Sequence, residues 1–177
     1  DGSYQAYRTD LAAPCAPSDP ATSTGPDTNS TGAAISALMA INEAGAAPAA
    51  TMSKVANAAT RAGLWLGKQQ LKDGGWPFFP GGTSDANSTG LALAAMMTSA
   101  PNFKVPTYVA ASKFLSTLVA PCGSADGGGL SYQKGAKPDG SASSQGLLGL
   151  TAAFPVTGPK KLAGSPACSS TTGRKVA

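Results

Sequence analysis

Apolar positions along the chain fall into two alternating patterns. Over residues 51–71, Val55, Ala58, Ala62, Trp65, Leu66 and Gln69 recur at spacings of three and four, with Lys54, Arg61 and Lys68 on other faces. That is the signature of an amphipathic helix with one buried stripe. Residues 105–120 repeat it through Tyr108, Ala111, Leu115 and Leu118. The other pattern is small and apolar all round, as in "TGAAISALMAI" from Thr31, and it returns after Asp85 and Asp139. A helix without a polar face is expected to be buried on every side. The two patterns together predict five helices, three inner and two outer. Between them run loops rich in Pro and Gly, such as "PFFPGGTS" and "PCGSADGGG", with no strand signal.

The chain is also periodic. An Asp-Gly turn followed by an aromatic residue occurs as "DGSY" at Asp1, "DGGW" at Asp73 and "DGGGLSY" at Asp126. A second Asp opens each apolar segment: "DTNSTG" at Asp27, "DANSTG" at Asp85 and "DGSASSQG" at Asp139. Six of the eight aspartates lie on these two ladders, and the second ladder advances by 58 and then 54 residues. A unit of roughly 55 residues holds two helices and their loops. The predicted architecture is therefore all-α, a curved array of helical hairpins over 1–153, in units of about 1–46, 51–100 and 105–153. The aperiodic segment 154–177 reads as an extended C-terminal tail.

Composition narrows the function classes. Charged residues make up only 12% of the 177, about half the usual share, so Ser, Thr, Gly and Ala must cover the surface, as is common in exported proteins. We expect a secreted or cell-surface location. No apolar run approaches the roughly 20 residues of a membrane span. The net charge of +4 is scattered, without the basic stripe that nucleic acid binding requires. The chain has no His and three Cys, at 15, 122 and 168, with no C-x-x-C pair, too few for the four Cys or His ligands of a structural zinc site. In an exported protein two of the cysteines should pair, and Cys122 with Cys168 is the pairing expected because both flank the last unit.

"RAGLWLGKQQLKDGGW" (61–76) resembles the QW repeat of the squalene cyclase and prenyltransferase superfamily. The resemblance implies a partial α/α toroid in which Gln and Trp tie the end of an outer helix to the next turn. It is strongest in the middle unit and weaker in the third, where Gly129 and Leu130 stand near the Trp position. Similar repeats occur in secreted bacterial proteins with cobalamin-binding relatives, and "DTNSTGAAISALMA" is similar to inner-helix segments of the animal cobalamin carriers. A corrinoid is the ligand class so implied. The cyclases of this superfamily that protonate an alkene carry D-x-D-D-T-A at the start of an inner helix. Here Asn29 and Asn87 stand where the donor carboxyl would be, and an amide has no accessible acid form. The zinc-dependent prenyltransferases need an Asp, a Cys and a His, and His is absent here, as is the G-C-G-E-Q thioester motif.

The two D-x-N-S-T-G turns also resemble the first half of a calcium loop, but its twelfth position would fall on Leu38 and Met96, which cannot coordinate. Helix capping is the simpler role for Asp, Asn, Ser and Thr at a helix start. Capping is compatible with ligand contact, because helix N-termini present unpaired amides and a positive dipole end. The candidate ligand-binding residues are therefore Asp27, Asn29, Asp85 and Asn87, with Phe78, Phe79 and Tyr132 as a stiff aromatic rim. Tyr4 is placed as the first-unit counterpart of that rim. Gln145, expected in the place of the Thr of "NST", is a further ligand-binding candidate, either capping its helix or facing the cavity. No catalytic residue and no metal ligand is assigned. The expected function is a non-catalytic module that binds a small ligand, or is completed by another domain or chain. The rivals are a cyclase or prenyltransferase using a different acid, and a structural surface or filament subunit.

Overall fold

The computed structural model describes residues 1–6, 16–19, 21–22, 24–45, 47–99 and 105–152. Cys15, Cys168, the expected Cys122–Cys168 pairing and the 154–177 tail lie outside the described residues. Among those described, five helices account for most of the structure: α1 (Thr28–Ala44), α2 (Ala49–Lys68), α3 (Ala86–Thr98), α4 (Val105–Thr117) and α5 (Gly140–Ala152). The chain is mostly helical, as the apolar spacing predicts.

Local chemistry sets the helix ends. Asp27 and Asp85 precede α1 and α3 in nearly identical extended conformations, φ −134° and −137°, and each carboxylate accepts from the backbone N–H three residues on. That bond satisfies one of the four amides a helix start leaves unpaired. α1 stops at Gly45, whose left-handed φ of 62° ends the helix without the strain a side chain would bring.

Packing distinguishes α3 from the other helices. α2 buries Val55, Ala59, Ala62, Trp65 and Leu66, the stripe that the spacing marks out with Ala59 taking the place of Ala58. α4 buries Ala111, Phe114 and Leu115. α3 lies in the middle and contacts α1, α2, α4 and α5. Expected burial on every side holds for α3 alone, whose Ala86, Gly90, Ala92, Leu93, Ala95 and Met96 are all buried. In α1 the buried residues stop at Ile35 and Ile41 is exposed; on α5, Leu147 and Leu148 remain 53% and 47% exposed. The reason is the number of neighbours: α3 packs against both α1 and α5, whereas those two helices have no comparable contact with each other.

Glycines make the contact of α3 with α5 tight. A Cβ on Gly90 would sit 1.9 Å from the carbonyl oxygen of Gln145, and one on Gly149 would sit 2.5 Å from that of Gly90. Backbone therefore meets backbone between α3 and α5. A short pairing also appears that the sequence pattern does not predict. β1 (Trp76–Pro77) runs antiparallel to β2 (Ser84–Asp85), with Trp76 opposite Asp85. Two residues per strand are too few to leave a period-two signal. Their effect is to hold the Asp-Gly turn against the start of α3.

Candidate functional site

The loops join the inner helices through bonds that recur at matching positions. The Tyr4 amide donates to Thr31 Oγ1 at 3.0 Å, that of Trp76 to Thr89 Oγ1 at 2.9 Å, and that of Leu130 to Ser143 Oγ at 2.9 Å. Each acceptor lies four residues after its cap aspartate, Asp27, Asp85 or Asp139. Tyr4 is therefore the counterpart of Trp76, not of the aromatic rim. The rim counterparts are Phe78 and Tyr132, because the Thr28 amide donates to Phe78 O and the Ala86 amide to Tyr132 O, both at 2.9 Å. The starts of α1 and α3 are thus each closed by the loop that follows the next Asp-Gly turn.

Bonds link the end of α2 to its neighbours. Buried Trp76 donates from Nε1 to Leu66 O at 2.8 Å, and Gln70 donates from Nε2 to Gly74 O at 2.9 Å and to Thr107 O at 3.0 Å. Leu118 and Val119 occupy the positions in the next unit, 49 residues on, that Gln69 and Gln70 hold here. That unit lacks the side-chain tie.

At the start of α3 the carboxylate of Asp85 is buried. Its Oδ1 accepts from the Ser88 amide at 2.7 Å and its Oδ2 from the Ser88 hydroxyl at 2.9 Å. Burial pushes its pKa above the ordinary carboxylate value, and the Ser88 and Tyr132 hydrogen bonds oppose that shift. The Tyr132 hydroxyl is itself raised, first by burial and then by the charge of Asp85 and the hydrogen bond to it. Asp27 repeats the cap, with Ser30 donating at 2.7 Å from its amide and 2.6 Å from its hydroxyl.

Two residues after each of these aspartates stands an asparagine. Asn87 donates from Nδ2 to Ser141 Oγ at 3.0 Å, linking α3 to α5. The side-chain oxygens of Asn29 and Asn87 are buried and have no hydrogen-bond partner, as is that of Gln145. Such an acceptor costs about 1–3 kcal/mol relative to a paired one, and in a native fold it calls for an explanation. Phe78 and Tyr132 are 38% and 40% exposed beside these helix starts, while Phe79 is buried and meets Phe78 edge to face with ring centres 4.5 Å apart.

The expected residues thus fall into two matching groups, Asp27, Asn29 and Phe78 at α1, and Asp85, Asn87 and Tyr132 at α3. Phe79 belongs to the packing beneath. Gln145 does not replace the Thr of the "NST" turn: Ser143 does, and Gln145 lies two residues further along α5 with its carbonyl against Gly90. Sequence reasoning did not single out Ser88, Ser141 and Ser143. Their signal was the constant offset from each cap aspartate. Among the described residues no three His, Cys, Asp or Glu side chains converge as a metal site would need. Among them, too, no helix is long and apolar enough to cross a membrane. Searches against protein-family models, curated proteins and solved structures find no match to this chain.

Proposed function

We propose that the protein is an exported, non-catalytic binding module built as a partial α/α toroid, which takes a small ligand at the N-terminal ends of α1 and α3. The observation that carries this reading is the pair of buried, unpartnered oxygens of Asn29 and Asn87 at matching positions, each beside a half-exposed aromatic ring. Acceptors left unpaired in the protein suit a ligand rich in N–H or O–H donors, and the rings suit an apolar body. A corrinoid, with a flat macrocycle fringed by carboxamides, has that chemistry and is the ligand the QW resemblance implies. With no His in the chain, the protein would hold it by its edge and offer no imidazole to cobalt. The Trp76 and Gln70 bonds, and the order of α1, α3 and α5, support the toroid reading.

Thermal unfolding with cobinamide, cyanocobalamin and polyprenyl alcohols tests it. A ligand that binds only the folded state should stabilise it by about 2.7 kcal/mol at roughly 100 times its dissociation constant. We expect a shift with a corrinoid, lost in Asn29→Ala/Asn87→Ala. No shift in folded protein would defeat the reading. An enzymatic role, with Asp85 as the acid, has in its favour the raised pKa, but both carboxylate oxygens are engaged by Ser88. Asp85→Asn should leave ligand binding intact under the binding reading and abolish turnover under the enzymatic one. A structural role has the exposed Leu147 and Leu148 of α5 in its favour, where a further domain or chain would extend the row.

A further inference from the structure

A cavity of about 750 Å³, lined by none of the rim residues named above, lies against α4 and the turns at 72–73, 83–84 and 133–134. Lys72, Lys113 and Lys134, from three separate segments, line it together with a single carboxylate, Asp73. That carboxylate is already engaged, its Oδ1 accepting from the Gly75 amide at 3.0 Å and the Ser84 hydroxyl at 2.8 Å. Among the described residues none of the three lysines forms an ion pair. The cavity therefore holds a surplus of two positive charges with no partner among the described residues.

The molecule contains its own comparison. A second cavity, of about 610 Å³, occupies the corresponding place one unit earlier. It has Trp65 where the first has Phe114, Pro26 where it has Ser84, and Pro80 where it has Lys134. The offsets are 49, 58 and 54 residues, the last two being those that relate Asp27 to Asp85 and Phe78 to Tyr132. Leu64 stands at the position of Lys113. Among the described residues no lysine lines this earlier cavity, so Lys113 and Lys134 of the later one are not required by the architecture.

We infer that the cavity beside α4 binds a phosphorylated small molecule, its phosphoryl group held by Lys72, Lys113 and Lys134. A phosphomonoester carries about −1.5 to −2 charge at neutral pH, which matches the surplus. Gln133 Nε2 donates to Thr83 Oγ1 at 2.9 Å, which leaves the Thr83 hydroxyl proton to donate to a phosphate oxygen. The volume exceeds what a bare phosphate needs and lies in the range of organic ligand sites. Ala110 and Phe114 supply an apolar wall for the rest of the molecule.

The test is titration of the whole chain with phenyl phosphate, inorganic phosphate and phenol, followed by backbone amide shifts at 83–84 and 133–134. Phenyl phosphate should bind saturably and more tightly than inorganic phosphate, and phenol should not bind. Lys113→Gln/Lys134→Gln should weaken phenyl phosphate binding about tenfold or more, since charge-assisted contacts of this kind are each worth about a factor of ten. Lys54→Gln/Lys68→Gln, which removes two exposed charges of α2, should leave it unchanged. Equal weakening in both pairs would show diffuse charge attraction and overturn the site, as would the absence of binding by folded wild-type protein. Neither outcome depends on the corrinoid experiment, because the probes and residues differ.

Discussion

Two demands meet on Asp85, which caps a helix and is buried while doing so. Because burial raises its folded pKa above the ordinary carboxylate value of 3.8, the folded state binds the extra proton just above that pH. Stability contributed by this group is therefore greatest below pH 3.8 and falls as pH rises through the folded pKa. Asp85→Asn should flatten that part of the curve of unfolding temperature against pH, measured as the difference from wild type. A curve of variant minus wild type that falls or stays level there, where we expect it to rise, would show that the carboxylate is better solvated than its burial implies. Asparagine caps nearly as well as aspartate, whereas Asp85→Ala should destabilise by about 2 kcal/mol in denaturant unfolding. The capping role was legible in "DANSTG" itself, since any Asp-led polar turn before an apolar run reads that way. The link from Tyr132 to Asp85 was not, because the two are 47 residues apart and only the packing of one loop on the next helix start joins them.

Among the elements, α3 and α5 approach closest, and a glycine decides it. Gly90→Ala would drive a methyl group into the Gln145 carbonyl, and such overpacking should cost about 3 kcal/mol. Gly63→Ala on α2 is the control, because its Cβ would meet only the Ser99 hydroxyl at an ordinary 3.7 Å. That change should stabilise by about 0.5–1 kcal/mol through helix propensity. Chemical unfolding of both variants checks the pair, and equal effects would mean that the tight contact relaxes freely. The helices themselves were readable from spacing: the stripe of α2 and the apolar run of α3 follow from local side-chain periodicity. Gly90 as a contact was not, since a glycine in a helix looks the same whether it faces solvent or a neighbouring backbone. The two-residue β1 and β2 were hidden for a different reason, being paired by tertiary position and too short for a pattern.

Across the whole molecule, burial falls away from the centre. α3 should show the slowest amide hydrogen exchange and the second half of α1, beyond Ile35, among the fastest of the helical segments, because opening that half exposes little apolar surface. Uniform protection across α1 and α3 would mean that the row unfolds as one unit from end to end. By itself the sequence determined the helical class, the alternation of amphipathic and apolar segments, and the cap aspartates, because each depends on residues within a few positions of one another. The tertiary structure decided which apolar helix is buried on both sides and that Tyr132, not Tyr4, matches Phe78. It also decided that three lysines from distant segments line one cavity. Those outcomes depend on which surfaces meet, and a local pattern carries no record of its distant neighbours.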